Sequence, residues 1–248
     1  MYRARIIPCL LISGNGLVKT RKFKDPIYIG DPVNAMRIFS EKEVDEIVVL
    51  DIDASRQQQE PNYELIAEMA GEAFMPLAYG GGIRTLDQVR KLIRSGIEKV
   101  VINTAATEST DLIRAVADIY GSQAVVGAVD VKKTLFGGYR VLAKSATVDA
   151  GLDLNAHIQQ LIAAGVGEIF INSVDRDGMM AGYDLPLIRS ITQKVNVPVV
   201  ACGGAGTIEH LSQGVSEGGA SAVAAGSMFV FYGKHRAVLI NYPKNVNF

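Results

Sequence analysis

The sequence predicts an α/β protein, a single (β/α)8 barrel of the TIM type with a two-fold half-barrel repeat. Short β-branched or aliphatic runs alternate with longer amphipathic segments from one end of the chain to the other, which is typical of βα units around a parallel sheet. Eight such units fit into 248 residues, an ordinary length for a closed barrel. Because no linker or low-complexity tract interrupts the pattern, we expect one domain over residues 1–248.

Each element follows from a local pattern. The strands are short apolar runs, which in chain order cover residues 5–10, 46–50, 76–79, 99–103, 124–131, 168–172, 197–202 and 221–225. The helices are the segments between these runs in which apolar residues recur at helical spacing. They cover residues 32–44, 62–73, 86–95, 112–120, 155–164, 185–194, 208–217 and 234–240.

An internal repeat supports the barrel. The second half of the chain realigns on the first at a constant offset of 122 residues, so that Gly81-Gly82 matches Gly203-Gly204 and Thr85 matches Thr207. Self-similarity at one fixed period is the signature of a repeated structural unit. The barrel is therefore predicted to consist of two half-barrels of four βα units each.

Composition and charge exclude several functional classes. The 25 Lys and Arg residues against 26 Asp and Glu give a net charge of −1, so neither nucleic acid nor an anionic membrane is an expected partner. The two cysteines lie in apolar runs, which excludes a disulfide framework. The longest weakly polar stretch, residues 220–232, is shorter than the roughly 20 residues of a membrane helix. We expect a soluble, cytoplasmic protein.

Glycine turns at the carboxyl ends of the strands predict a site for a phosphorylated small molecule. Glycine lets backbone N–H groups approach an anion, and the following helix adds its dipole. Such turns follow the third and seventh strands, next to small or hydroxyl residues that end the fourth and eighth. Two phosphate sites on opposite sides of the barrel mouth follow from the repeat. The tight turns alone would also explain the glycines.

Carboxylates lie at the same ends of the strands, where they can act as general acids or bases. They are Asp51, Asp53, Asp130, Asp175 and Asp177. Position alone does not rank them, because strand-end Asp residues also cap helices and hold loops. Asp130 is the best catalytic candidate, since its apolar run can raise the pKa of its carboxyl. The basic segment 13–30, which contains glycines, is expected to be mobile and to close over an anionic substrate.

Charges at the opposite ends of the strands form a second pattern. Arg5, Glu46, Lys99 and Glu168 each stand at the start of a strand. Since buried charges are tolerated only when paired, we expect a salt-bridged ring that closes the barrel floor. The three histidines have no ligand spacing and are interpreted as exposed helix residues. No zinc motif, nucleophile elbow or P-loop is present, so we expect no metal and no cofactor.

The segments RIIPCL, GGGI, KVVINTAA, GEIFINSVDRDG, ACGGAG and AAGSMF together resemble the cyclase subunit of imidazole glycerol phosphate synthase, the HisF family. The resemblance covers essentially the whole chain. It implies a barrel that docks a HisH-like glutaminase on its N-terminal face and receives ammonia through its core. It further implies that the four floor charges form the ammonia gate and that Lys19 and Asp130 are catalytic. The implied phosphate-site residues are Gly82, Asn103, Thr104, Asp177, Gly178, Gly204, Ala225, Gly226 and Ser227.

One departure from the family pattern changes the expected function. The cyclase motif continues from PCL into a catalytic aspartate, whereas this chain has Leu11 there, and leucine cannot transfer a proton. In this respect the chain resembles HisF-like paralogues of surface-polysaccharide and nonulosonic-acid pathways, which imply ammonia delivery to an N-acetyl-sugar amidotransferase. The alternatives are the histidine-pathway cyclase and a non-catalytic scaffold that activates the glutaminase.

Overall fold

The fold is taken from a computed structural model that describes residues 4–243, 246 and 248. Residues 1–3, 244, 245 and 247 of the expected domain lie outside the described residues.

Eight parallel strands close into a barrel. Numbered in chain order, the strands are β1 (Arg5–Ser13), β2 (Gly16–Arg21), β3 (Lys24–Gly30), β4 (Ile47–Asp51), β5 (Leu77–Gly80), β6 (Lys99–Ile102), β7 (Val125–Lys133), β8 (Tyr139–Ala143), β9 (Val148–Asp149), β10 (Glu168–Ser173), β11 (Val199–Cys202), β12 (Ala222–Ala225), β13 (Phe231–Tyr232) and β14 (Ala237–Val238). The barrel order is β1-β4-β5-β6-β7-β10-β11-β12, and β12 pairs back on β1. The eight predicted strands and the predicted fold class are confirmed.

Helices surround the barrel. They are α1 (Pro32–Glu41), α2 (Ala54–Gln57), α3 (Tyr63–Gly71), α4 (Leu86–Arg94), α5 (Thr104–Glu108), α6 (Asp111–Tyr120), α7 (Leu154–Ala163), α8 (Leu185–Thr192), α9 (Ile208–Ser216) and α10 (Ser227–Val230), with a 3-10 turn at Ser122–Ala124. The first seven predicted helices correspond to α1, α3, α4, α6, α7, α8 and α9.

The apolar core has two layers, one inside the barrel and one between strands and helices. The inner layer is built from small and β-branched side chains with few large ones. Its members are Ile7, Cys9, Leu11, Val18, Val48, Ala78, Val101, Val126, Ala128, Phe170, Val200, Cys202, Ala222 and Ala224. The outer layer buries larger side chains such as Phe39 and Phe229. Alternation along each strand therefore divides the side chains between the two layers.

The two halves repeat each other in detail after the third and seventh strands. A Cβ added at Gly81 would lie 2.6 Å from the carbonyl oxygen of Asp51, and one added at Gly203 would lie 2.6 Å from that of Ser173. Both glycines have positive φ, 123° and 87°. Gly81 and Gly203 are 122 residues apart, as are Asp51 and Ser173. The sequence repeat is therefore also a repeat of backbone contacts.

The following helices are capped in the same way. Thr85 accepts a hydrogen bond from the N–H of Gln88, and Thr207 accepts one from the N–H of His210. The Gln88 side chain in turn accepts from the N–H of Arg84 at 2.7 Å, and His210 Nδ1 accepts from the N–H of Gly206 at 3.2 Å. These caps satisfy donors that the first turn of a helix leaves unpaired.

The predicted eighth helix, residues 234–240, is wrong. That segment forms the β13–β14 hairpin, which turns through Gly233 at φ 72° and Arg236 at φ 51°. Positive φ at these two positions is incompatible with a right-handed helix. Beyond β12 only the single turn α10 is helical within the described residues.

Two further expectations are corrected by burial and by strand pairing. His157, predicted to be exposed, is 1% exposed on the inner face of α7. The segment 13–30, predicted to be a mobile loop, is ordered as the antiparallel strands β2 and β3 on the end of β1. The periodicity of apolar residues predicted α7 correctly, but it placed His157 on the exposed face of that helix.

Among the described residues, no helix is both long enough and apolar enough to cross a bilayer.

The contacts of Gly81 give a test of the repeat. Gly81→Ala should lower the free energy of unfolding by about 1–3 kcal/mol for the strained φ alone, with the overlap against Asp51 in addition. Gly71→Ala is the matched control, because the last residue of α3 has open space around it and alanine favours a helix. Urea unfolding measures both variants. Equal midpoints for Gly81→Ala and wild type would contradict the close contact.

Candidate functional site

A cavity of about 550 Å³ opens at the carboxyl ends of the barrel strands. In barrels of this class this face carries the active site. Its walls include the glycine turns after β5 and β11 and the ends of β6 and β12. These two pairs of strands lie on opposite sides of the barrel. We name the part at Gly82, Asn103 and Thr104 the first-half end, and the part at Gly178, Gly204, Gly226 and Ser227 the second-half end.

Polar atoms without partners face this cavity. Asn103 Oδ1, Asn172 Oδ1 and Ser227 Oγ are buried and have no hydrogen-bond partner within the protein, and all three residues line the cavity. Leaving such groups unpaired costs about 1–3 kcal/mol each. An unpaired group in a native structure calls for an explanation, and a polar ligand supplies one. Asn172 is a residue that the sequence analysis missed.

The first-half end combines a glycine turn with hydroxyl groups. The N–H of Gly82 lies 3.3 Å from Ser55 Oγ, which accepts its hydrogen bond. Thr104 Oγ1 accepts from the backbone N–H of Lys144 at 3.0 Å. The predicted residues Gly82, Asn103 and Thr104 are therefore brought together, with Ser55 and Lys144 as further wall residues.

The β2–β3 hairpin lies over the second-half end, where Lys19, Thr20 and Phe23 line the cavity. Lys19, 5% exposed, donates from Nζ to the carbonyl oxygen of Cys9 at 2.6 Å. A Cβ on Gly226 would collide with this ammonium group, and one on Gly178 would collide with the carbonyl oxygen of Thr20. Glycine is required at both positions because the hairpin lies so close. Ala225, predicted for this site, is also in the wall.

Asp130 occupies the cavity wall on β7. Its Oδ2 accepts a hydrogen bond from Asn103 Nδ2 at 3.1 Å. Burial, reinforced by the negative charge of Asp177, raises the pKa of Asp130 to about 7, and the hydrogen bond from Asn103 opposes this shift. A carboxyl group with a pKa near neutrality can both give and take a proton at physiological pH.

The other strand-end aspartates are engaged in local structure. Asp51 Oδ1 accepts from the N–H groups of Asp53 and Ala54 at 2.9 and 3.0 Å, and burial nevertheless raises its pKa. Asp53 accepts from Ser13 at 2.5 Å. Asp175 accepts from the N–H of Lys133 at 2.8 Å. The geometry thus separates Asp130 from neighbours that the sequence could not rank.

Asp177 holds the β2–β3 hairpin in place. Its Oδ2 accepts from Thr20 Oγ1 at 2.7 Å and from the N–H of Phe23 at 3.2 Å, and its carbonyl oxygen accepts from the N–H of Lys22 at 3.0 Å. Burial raises the pKa of Asp177, while the bond from Thr20 and the charge of Lys19 oppose the shift. Asp177 lines the cavity as predicted, and its carboxylate is directed to the hairpin.

A strained turn that the sequence analysis missed overhangs the first-half end. Lys144, Ser145 and Ala146 have φ values of 51°, 54° and 60°, three consecutive non-glycine residues in the left-handed region. This conformation costs roughly 1–2 kcal/mol per residue. Ser145 Oγ anchors the turn by donating to the carbonyl oxygen of Ile52 at 2.6 Å. Strain of this kind is concentrated at ligand sites.

A ring of four charges lies at the opposite mouth of the barrel. Arg5 bonds to both Glu46 and Glu168, and Lys99 Nζ lies 2.8 Å from Glu46 and 3.6 Å from Glu168. The two carboxylate side chains are only 3% and 9% exposed. Burial alone would lower the pKa of Arg5, but Glu168 and Glu46 outweigh it and the pKa is raised. The ring is thus neutral and closed, as the strand starts predict.

The two cysteines, Cys9 and Cys202, are free and buried in the cavity wall. The neighbouring Cys9 thiol, together with burial, raises the pKa of the Cys202 thiol. Among the described residues no group of three or more His, Cys, Asp or Glu side chains is placed to hold a metal ion.

The fold and the cavity define the class: a half-barrel-repeat (β/α)8 protein with a two-ended polar site at one mouth and a charge ring at the other. Residues 5–236 match the family described as Histidine biosynthesis protein, and the chain belongs to this family. It is a HisF-like barrel subunit of the imidazole glycerol phosphate synthase family.

Relatives of similar length support this assignment. A Pseudomonas aeruginosa protein, provisionally named imidazole glycerol phosphate synthase subunit hisF2, is 58% identical over 98% of this chain and 97% of its own. A Leptospira borgpetersenii protein, provisionally named the HisF subunit, is 47% identical over 100% of this chain and 98% of its own. A Vibrio vulnificus protein, provisionally named subunit hisF3, is 45% identical over 98% of this chain and 94% of its own.

The raised pKa of Asp130 predicts a specific pH dependence of stability. The native state keeps the Asp130 proton up to about pH 7, whereas the unfolded chain loses it near pH ~3.9. Raising the pH through this window therefore weakens the wild type, by at most about 1.4 kcal/mol per unit. Asp130→Asn should become progressively more stable than wild type between pH 4 and pH 8.

Urea unfolding at several pH values measures this difference. Asp118→Asn, on the exposed face of α6, is the control and should give a difference that does not change with pH. A difference between Asp130→Asn and wild type that stays constant over the same range would contradict the raised pKa.

Proposed function

We propose that this chain is the ammonia-receiving barrel of a glutamine amidotransferase system that amidinates an N-acetyl sugar in surface-polysaccharide or nonulosonic-acid synthesis. The observation that carries the proposal is the combination of an intact charge ring at one mouth with a cavity at the other whose wall contains Asp130 on β7 and Leu11 on β1. Such a barrel is equipped to take in ammonia, but lacks one of the two acidic groups of a cyclase.

The interior between the two mouths suits neutral ammonia. The inner layer includes Ala78, Ala128, Ala222 and Ala224, and small apolar side chains offer no partner to an ammonium ion, which would pay a large desolvation cost there. Ammonia entering at the ring would remain uncharged and reach the cavity. The ring charges are the polar groups at which an incoming molecule is admitted or refused.

A glutaminase of the HisH type is the proposed partner at the ring. Phe74, which precedes β5 at this mouth, is 89% exposed, and Ile119 near the start of β7 is 52% exposed. Exposed large apolar side chains around a functional opening favour protein docking. An N-acetyl-sugar amidotransferase at the cavity mouth would be the second partner.

Leu11 separates this proposal from ring closure. It is 8% exposed and packs with Leu50 and Ile52, so the strand-one side of the cavity is apolar. A general acid or base typically contributes 10²- to 10⁴-fold in rate, and Asp130 has no acidic counterpart at Leu11. Lys19 and Asp130 remain available to position the ligand or to move a proton.

The histidine-pathway cyclase is the second candidate function. It is favoured by the names of the relatives and by the two-ended cavity with its unpaired polar atoms. A scaffold that only activates the glutaminase would leave those polar atoms without a ligand.

Direct assay of cyclisation distinguishes the two functions. With excess ammonium and the histidine-pathway substrate, the wild-type chain is expected to form imidazole glycerol phosphate at least about 100-fold more slowly than a cyclase with both acids. Leu11→Asp should raise the rate, and Leu11→Asn, similar in size but without an ionisable group, should not. Rapid ring formation by the wild type would contradict the proposal in favour of the cyclase.

Breaking the charge ring tests the gate. Lys99→Ala leaves excess negative charge at Glu46 and Glu168, so the free energy of unfolding should fall. A fully buried ring would lose about 3–5 kcal/mol. The expected loss is smaller, because the Lys99 side chain is 20% exposed. In the complex, the ratio of amidated product to glutamate released should fall, while activity with free ammonium persists.

The control for this experiment is Lys91→Ala, an exposed lysine on α4, which should change neither quantity. A folded Lys99→Ala complex with an unchanged ratio would show that the ring is a structural plug.

A further inference from the structure

The two ends of the cavity are related by the internal repeat but differ in charge. Arg56 and Arg84 line the cavity at the first-half end. The residues 122 positions later are Gly178 and Gly206. Each glycine of the second half therefore stands where the first half has an arginine.

Packing explains why the second half cannot carry these side chains. A Cβ on Gly206 would lie 2.5 Å from the carbonyl oxygen of Met180, and one on Gly178 would collide with the carbonyl oxygen of Thr20. The β2–β3 hairpin and the segment after β10 thus cover the second-half end. Lys19 is the cation that lines this end, and its ammonium already donates to Cys9.

A third cation joins the first-half end from outside the repeat. Lys144 lines the cavity and lies in the strained left-handed turn, whose backbone is held by Thr104 and Ser145. Within the described part of the chain, no ion pair within 4 Å involves Lys144. The turn thus has three residues in unfavourable backbone conformations, two of them anchored, and places Lys144 in the cavity wall.

The three cations are only weakly neutralised by the protein. Arg56 Nη1 lies 3.9 Å from Asp53, and Arg84 Nη2 donates to the carbonyl oxygen of Gln59 at 3.3 Å. Of the acidic wall residues at this end, Glu108 and Asp111 are on the exposed rim, and Asp111 pairs with Arg114 at 3.2 Å. Asp51 is occupied by backbone N–H groups. Asp130, the fourth acidic residue, accepts a hydrogen bond from Asn103.

We propose that the first-half end binds a diphosphate group, so that the ligand of this cavity is a sugar carried on a diphosphate. This proposal rests on the proposed function, in which the substrate that is amidinated is an N-acetyl sugar. Two guanidinium groups and an ammonium match the extra charge and oxygen atoms of a diphosphate, because the arginine fork binds phosphate oxygens bidentately. The second-half end, with glycine amides and one cation, suits a smaller polar or singly charged group.

Binding of two inorganic probes tests the proposal. Calorimetric titrations with phosphate and with pyrophosphate, both without divalent cations and at fixed ionic strength, give the affinities, and the amide resonances of Gly82 and Gly204 report which end is occupied. Pyrophosphate is expected to bind at Gly82 about tenfold more tightly than phosphate, the worth of one additional charge-assisted hydrogen bond.

Substitutions then assign the preference to the three cations. Arg56→Gln, Arg84→Gln and Lys144→Gln should each lower the affinity for pyrophosphate about tenfold and affect phosphate less. Arg90→Gln, an exposed arginine on α4 outside the cavity, should change neither. Circular dichroism establishes that each variant is folded.

The possible failures are distinguishable. Equal affinities for phosphate and pyrophosphate at Gly82 would overturn the diphosphate assignment while leaving the anion site in place. A preference for pyrophosphate at Gly204 would also overturn it, because the cations lie at the other end. No response of Gly82 to either probe would remove both the diphosphate assignment and the anion site predicted from the glycine turn, while leaving ammonia delivery, which the charge-ring experiment tests, unaffected.

Discussion

The ring of Arg5, Glu46, Lys99 and Glu168 is the interaction on which the rest of the structure depends. Nearly buried carboxylates at the mouth of an apolar barrel are tolerable only if each is paired, and here each contacts both cations. The four charges can pair only if the strands that carry them keep one fixed register. The same register brings the opposite ends of these strands together around the cavity. The ring therefore fixes the same barrel that presents Asp130, the glycine turns and Lys144 to a ligand.

Closure of the barrel also explains why its two mouths carry different chemical groups. The eight barrel strands run parallel to one another, so their starts face the ring and their ends face the cavity. The ring is charged but neutral in sum, and the interior is apolar. At the cavity mouth, unpaired polar atoms and basic side chains remain. The proposed passage of neutral ammonia and the proposed binding of an anion at the cavity mouth rest on this difference between the two ends.

The sequence predicted those features that depend on local patterns or on the repeat. The strand runs and the paired glycine turns depend on neighbouring residues, and the offset of 122 residues relates one half of the chain to the other. The ring could be predicted from the sequence for the same reason, because each of its four charges stands at the start of a strand. The eighth helix was wrong because its apolar spacing carries no information about the positive φ of Arg236.

Other features depend on contacts between distant residues. The hairpin over the second-half end is fixed by Asp177, which is 157 residues from Thr20, and the turn at Lys144 is fixed by Thr104, 40 residues away. No pattern among neighbouring residues predicts either contact. His157 was misassigned because a polar residue on an amphipathic helix was expected on its exposed face, whereas α7 buries it.

The proposed function requires that ammonia pass from the glutaminase through this barrel to the acceptor without mixing with bulk solvent. It is tested most directly by supplying the reconstituted complex with glutamine labelled with 15N at the amide, in the presence of excess unlabelled ammonium, and measuring the isotope in the amidated product by mass spectrometry. If ammonia passes through the barrel, the product is expected to keep nearly all of the 15N at early turnover. A label diluted to the isotope ratio of the bulk ammonium would contradict it.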